Sequence, residues 1–211
     1  QSRVKRVVDI VGAIAGLLVL SPVMLITAAA IKLTSPGPVI FKQIRLGKDF
    51  TPFVFYKFRS MNVDADDRIH RDYLADLIRG DLGKVDQGGA DGAFYKIKSD
   101  PRVTRVGDFI RKTSIDELPQ FLNVLKGEMS LVGPRPPLPY EVDKYRSWHL
   151  RRILEVRPGL TGLWQVEGRS QTTFDEMVRL DLRYSRNWSL LLDLKLMLRT
   201  VKVVLNCRGA A

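Results

Sequence analysis

Hydrophobic and polar positions divide the chain into two unequal parts. Residues 10–31 form an apolar run without a single charge. As a straight α-helix, at about 1.5 Å per residue, such a run covers the roughly 30 Å of a bilayer core. It is interrupted at Ser21-Pro22. Proline removes a backbone donor and crowds the preceding turn, so a break is expected there, and the Ser21 hydroxyl can donate to a freed carbonyl. Both flanks are basic: Arg3, Lys5 and Arg6 before the run, Lys32, Lys42, Arg45 and Lys48 after it. Positive residues favour the cytoplasmic side. The two flanks together predict a re-entrant helix, broken at Ser21-Pro22, that enters and leaves on one face. A straight span, a buried core helix and a cleaved signal peptide are the alternatives.

Beyond Thr34-Ser35-Pro36-Gly37-Pro38, which stops the helix, the pattern changes. Residues 39–45 and 51–58 read as two strands around a turn at 46–49. Residues 64–79 read as a helix with Asp64 as N-cap, and 81–93 as a glycine-rich loop. Short helices are expected over 104–112 and 116–126, and longer ones over 140–156, 173–184 and 190–206. In the last, Leu191, Leu194, Leu198 and Val201 share one face, which suits either the core or a membrane surface. The predicted class is α+β: a mostly helical cytoplasmic domain (35–211) with a small antiparallel sheet, preceded by the membrane helix (1–34).

Charge narrows the set of partners. The net charge is +11, which suits phosphate-bearing substrates, acidic lipid headgroups or nucleic acid. The single cysteine, Cys207, excludes an internal disulfide framework. The first residue is Gln1, so a longer parent protein is expected. His70 and His149 lack metal-ligand spacing and are expected at the surface.

The candidate chemistry lies in 111–123. On a helix, Leu118, Phe121, Leu122 and Leu125 form an apolar stripe, and Asp116, Gln120 and Asn123 a polar face. Ser114-x-x-Glu117 fits a capping box. The functional alternative makes Asp116 a nucleophile or metal ligand, Glu117 its partner and Arg111 a phosphate clamp. Adjacent helical side chains diverge by roughly 100°, so one of the two acids is expected to serve from the flank. Residues 130–137 hold Arg135 in a proline-fixed loop that presents it with little entropy to lose. Residues 157–169 form a glycine-rich turn region carrying Arg157, Trp164, Gln165 and Arg169. Lys57 and Arg59 end a strand and either add positive charge to a site or form a solvated edge. Arg111 is expected to matter more than Lys57, which is distant from Asp116 in sequence.

These segments resemble the bacterial monotopic phosphoglycosyl transferases, also called bacterial sugar transferases. The resemblance runs from Arg6 to about Val204 and rests on six segments in order: 5–9, Ser21-Pro22, 56–61, 114–118, 132–136 and 157–162. It implies a re-entrant helix broken at Ser-Pro, an Asp-Glu dyad at Asp116 and Glu117, and Mg²⁺ held by that pair. It implies transfer of a sugar-1-phosphate from a UDP-sugar to polyprenol (undecaprenyl) phosphate, with release of UMP, through an aspartyl-phosphosugar. The expected site is the cytoplasmic face of the bacterial inner membrane. Arg111 falls on the family's phosphate-contacting arginine. Lys57, Arg59, Arg135, Arg157, Gln165 and Arg169 complete the expected substrate-binding set. The wording of 163–166 is similar to hexose-phosphate transferases of exopolysaccharide, capsule and O-antigen pathways. Membrane lipids are expected partners, and a homodimer is allowed. A membrane-tethered nucleic-acid-binding module is the rival, and nucleic acid is not expected, because the arginines lie in Pro/Gly-fixed loops beside a carboxylate pair rather than along a basic helix. A structural anchor for a polysaccharide assembly is the third class.

Overall fold

The computed structural model describes residues 3–63, 65, 68–79, 100, 102–168 and 172–205, with backbone alone at 68–70, 72, 73 and 205. Asp64, Gly80, the expected 81–93 loop and Arg169 lie outside the described residues.

The apolar run forms one α-helix, α1 (Arg3–Thr34), with Pro22 inside it. The expected break is therefore not a gap in the helical run. Ser21 Oγ donates to Leu18 O at 2.8 Å, consistent with its expected role beside the proline. Among the described residues this is the one helix long and apolar enough to cross a membrane. Its buried residues are Lys5, Asp9 and Ala13 at one end and Thr27 and Ile31 at the other. Both ends thus dock on the same domain. Between them Leu18, Val19, Leu25 and Ile26 are 70–74% exposed.

The first end is bound by charge. Arg6 donates to Val124 O and Leu125 O at 2.6 and 2.7 Å, meeting the last carbonyls of a short helix, α4 (Phe121–Lys126). Gly127 follows that helix in the left-handed region (φ 83°), where only glycine is unstrained. Asp9 accepts from Ser130 Oγ and Leu131 N. The far end packs Ile31 with Phe58 and Ile110, and Arg59 donates to Ser35 O, Ser35 Oγ and Pro36 O.

Strands β1 (Ile40–Leu46) and β2 (Pro52–Phe58) pair antiparallel, Ile40 opposite Phe58. Asp49 and Phe50 adopt positive φ in the turn between them. Helix α2 (Arg68–Arg79) follows, then α3 (Arg105–Lys112), capped by Thr104, whose hydroxyl accepts from Gly107 N. A second, parallel pair joins β3 (Ser130–Val132) to β4 (Gly159–Thr161). It arises inside segments read as irregular loops, because each strand is only three residues long and carries no visible period.

The helix expected over 140–156 is instead two single turns, α5 (Pro139–Val142) and α6 (Arg151–Leu154). Between them His149 Nδ1 accepts from Arg146 N at 3.1 Å, a side-chain bond that competes with helix continuation. His149 is not a surface residue. It is fully buried, among Tyr145, Trp148 and Phe174, and its Nε2 meets Asp175 at 3.0 Å.

Helix α7 (Leu163–Glu167) follows β4, and α8 (Phe174–Arg186) begins with a full capping box between Thr173 and Glu176. The last helix, α9 (Leu190–Leu205), turns Asp193 and Leu196 inward. Its Leu191, Leu194, Leu198 and Val201 stripe is exposed, so that face does not belong to the core. The main core joins Ala13, Phe53, Phe55, Val124, Met129, Val132, Tyr184 and Leu196, drawing on both sheets and four helices.

Candidate active site

The stretch expected to be an α-helix starting at Asp116 is a 3-10 helix, Ile115–Gln120, running into α4. Pro119 lies inside it and Ser114 precedes it in the left-handed region (φ 58°). Ser114 makes no side-chain cap, so the capping-box reading of Ser114 and Glu117 is not what the structure contains. A non-glycine residue at positive φ carries strain, which collects where surrounding structure overrides local preference.

With that turn in place, both acids meet one cation. Lys57 Nζ lies 3.2 Å from Asp116 Oδ2 and 2.8 Å from Glu117 Oε1. Arg135 Nη1 lies 3.0 Å from the same Glu117 oxygen. The expected divergence of neighbouring side chains does not keep the two apart, because the bridging ammonium stands between them. Lys57 reaches the pair from the end of β2, which packs along the 3-10 helix, so it is a direct partner of Asp116 despite lying 59 residues away. The expectation that ranked it below Arg111 by sequence distance has no structural basis.

The site is sunken but open. The side chains of Lys57, Asp116, Glu117 and Arg135 are 18, 9, 22 and 29% exposed. Burial pushes Glu117 upward, but the charges of Lys57 and Arg135 outweigh it and hold the carboxyl well below the usual range. For Arg135, burial favours the neutral form, and Glu117 and Asp116 more than offset it, so its affinity for a proton rises.

The other expected residues divide. Arg111 stands in the last turn of α3, half-buried, and its guanidinium makes no hydrogen bond or ion pair among the described residues. Arg157 precedes β4 and likewise has no side-chain hydrogen bond or ion pair among them. Gln165 folds back to donate to Leu160 O at 3.3 Å. Arg59 is committed to the exit of α1 and is not brought to the carboxylates. Asn123, on the expected polar face, is fully buried: it accepts from Tyr56 N and donates to Val54 O and Glu128 Oε2, tying α4 to β2. The polar face of that helix therefore points inward, while Leu122 of the apolar stripe is 43% exposed.

Sequence reasoning missed the residues that hold the 133–137 loop. Arg45, read only as a flanking charge, is buried over the Phe55 ring at 5.0 Å and donates to Pro136 O at 2.7 Å. Burial and the charge of Arg135 bring its pKa down to about 10. Nothing local distinguishes Arg45 from a solvated strand residue.

No group of three or more acidic, histidine or cysteine side chains with metal-site geometry occurs among the described residues. Two adjacent carboxylates nevertheless suit Mg²⁺, which takes one or two protein carboxylates and fills its shell with phosphate oxygens and water.

The model of the bacterial sugar transferase family matches residues 1–207. The chain belongs to that family. Galactosyl transferase CpsE of Streptococcus agalactiae is 49% identical over 207 residues, covering 98% of this chain and 43% of that protein. The UDP-glucose:undecaprenyl-phosphate glucose-1-phosphate transferase of Escherichia coli is 44% identical over 206 residues, covering 93% of this chain and 39% of the relative. The exopolysaccharide production protein ExoY of Rhizobium meliloti is 38% identical, covering 98% and 87%. The chain thus spans about two fifths of the length of the first two relatives and most of the third. Within this sugar transferase, three of the six segments that carry the family resemblance, 56–61, 114–118 and 132–136, meet in the Lys57–Asp116–Glu117–Arg135 cluster.

Proposed function

We propose that this sugar transferase domain moves a hexose-1-phosphate, glucose or galactose, from a UDP-sugar to undecaprenyl phosphate on the cytoplasmic face of the bacterial inner membrane, releasing UMP. The observation that carries the reading is Asp116, a carboxylate with one oxygen on Lys57, beside a second carboxylate and an arginine.

In the first step Asp116 attacks the sugar-linked β-phosphorus. The bond from that phosphorus to the bridging oxygen breaks, and UMP leaves with the oxygen and its electron pair. A phosphosugar remains on the aspartate. In the second step an oxygen of the lipid phosphate attacks the same phosphorus, the aspartyl–phosphorus bond breaks, and the carboxylate is restored. No proton need move in either step. Lys57 and Arg135 offset charge where anionic groups meet, and Arg111, at the end of α3, holds a phosphate. Asp116 and Glu117 supply the oxygens for Mg²⁺, which contributes further neutralisation of the phosphates when bound. Glu117, held ionised, orients Lys57 and Arg135 from the flank.

The docking of both ends of α1 on one domain supports a re-entrant topology, with the exposed centre around Pro22 in the lipid. Cysteine labelling at positions 2 and 49 in intact and permeabilised cells tests it. Both sites are expected to be shielded from the periplasm, and periplasmic labelling of either one overturns this topology. For the chemistry, UMP release is measured across a panel of UDP-sugars with and without undecaprenyl phosphate. A rapid-quench digest is expected to carry hexose-phosphate on the peptide containing Asp116. UMP release only with lipid present, and no adduct, would replace the covalent route by direct transfer.

A further inference from the structure

The loop that presents Arg135 to Glu117 contains Pro134, Pro136 and Pro137. Three of its residues have no N–H, so the loop cannot close on itself and its carbonyls must be met from outside. Four consecutive carbonyls are met in turn. Gly159 N donates to Pro134 O at 2.8 Å and Leu46 N to Pro137 O at 3.0 Å. Arg152 Nη2 donates to Arg135 O at 3.0 Å and Arg45 Nη1 to Pro136 O at 2.7 Å.

Arg152 differs from every other cation near the site. Its side chain is 3% exposed, and the same Nη2 lies 2.6 Å from Asp181 Oδ2, whose side chain is 1% exposed. Its Nη1 donates to Tyr145 Oη at 3.2 Å. A guanidinium neutralised by a buried carboxylate is not available to a substrate phosphate. Such a pair is also a poor source of stability, because both charges lose their hydration and an apolar pair of similar volume packs as well or better. What an apolar pair cannot supply is a planar, directional guanidinium whose Nη2 meets both a carbonyl and an anchoring carboxylate while Nη1 holds Tyr145 Oη.

We infer that Arg152, anchored by Asp181 on α8, is a positioning residue that holds the backbone of Arg135 so that its guanidinium meets Glu117. The inference rests on the phosphotransfer reading of the site. It makes Arg152 necessary for turnover although it touches neither substrate nor the acids, and it predicts that its effect passes through Arg135.

The test is a double-mutant cycle on the full chain in detergent or nanodiscs, reading kcat/KM for UDP-sugar by UMP release, with thermal unfolding followed in parallel. Arg152→Gln is expected to lower kcat/KM about tenfold, the value of one charge-assisted hydrogen bond. In an Arg135→Gln background the same change is expected to cost less than about twofold, because the group it positions is gone. Equal losses in both backgrounds mean that Arg152 merely supports the fold, and the inference fails. Full activity in folded Arg152→Gln overturns it as well. Should Arg152→Gln not accumulate, Arg152→Lys replaces it in the cycle. That variant retains a charge opposite Asp181, but its shorter ammonium lacks the planar group that meets Arg135 O and Asp181 through Nη2 while Nη1 holds Tyr145 Oη. If the wild-type chain releases no UMP from any UDP-sugar, the functional reading fails. If it does and the losses add, only the positioning role fails.

Discussion

Two clusters in this molecule are built from the same parts, a lysine between two aspartate or glutamate side chains, and they are wired for opposite ends. At the foot of α1, Lys5 Nζ lies 2.6 Å from Asp193 Oδ2 and 4.0 Å from Asp9 Oδ1, and it donates to Val132 O. Tyr184 Oη donates to Asp193 Oδ1 and Trp188 Nε1 to the same Oδ2 that Lys5 meets, and Ser130 Oγ and Leu131 N donate to Asp9 Oδ1. The side chains of Lys5, Asp9 and Asp193 are 2–4% exposed. At the candidate site the corresponding lysine is 18% exposed, and beyond Lys57 the Asp116 carboxylate has no hydrogen-bond partner among the described residues. The closed cluster is shut off from water and bonds both Asp193 oxygens and Asp9 Oδ1, leaving only Asp9 Oδ2 buried without a hydrogen-bond partner, and it fixes one arrangement of elements. A half-open one, with an oxygen to spare and two cations sharing a flank, can exchange internal partners for substrate at small cost. Burial, rather than residue type, separates the closed ion cluster from the half-open one.

The largest expected effect breaks the open cluster. Asp116→Asn is expected to reduce UMP release by about 10⁴-fold or more, even without lipid acceptor, while leaving the thermal transition in place. Residual release within about a hundredfold of wild type would make Asp116 a ligand or orienting group. The closed cluster is expected to answer in stability. Asp193→Leu leaves Lys5 buried without its nearest carboxylate and is expected to cost about 3–5 kcal/mol. Adding Lys5→Met is expected to recover much of that loss in the same unfolding assay. If the double variant is no more stable than the single, the cluster is not held by charge compensation.

A finer test concerns pH. Glu117 is raised by burial and lowered more strongly by Lys57 and Arg135, so in the wild type it stays ionised until the pH falls well below the ordinary carboxylate range. Lys57→Met removes one of the opposing charges and keeps the burial. The acid limb of kcat/KM is therefore expected to move to higher pH, with about a ten- to hundredfold loss at neutral pH. An unmoved limb would mean that ionisation of Glu117 does not control turnover. The smallest effect is expected from the exposed Lys112–Asp108 pair, 2.7 Å apart with side chains more than half exposed. Lys112→Ala is expected to change stability by less than about 0.5 kcal/mol. A larger change would undercut the argument that exposure sets the worth of these pairs.

The chain alone determined the membrane-length helix, the β1–β2 hairpin, the helices that start near Thr104 and Thr173 and the acidic pair within the family's motif. Each depends on neighbours within a few residues: an uncharged run, an alternating pattern, a hydroxyl ahead of a helix, two adjacent carboxyls. What only the tertiary structure decided depends on partners far apart along the chain. Lys57 and Arg59 stand two residues apart at the end of one strand, yet one meets Asp116 and the other closes the exit of α1. Asn123 turns inward because the β2 backbone offers an N–H and a carbonyl there. His149 is buried because Tyr145, Trp148 and Phe174 surround it. Arg152 reads as one more surface arginine until Asp181 and the carbonyl of Arg135 come within reach. Side-chain charge is a local property of the chain, but burial and hydrogen-bond partners are set by which distant segments pack together, and in this molecule those decide which charges hold the fold and which are left to react.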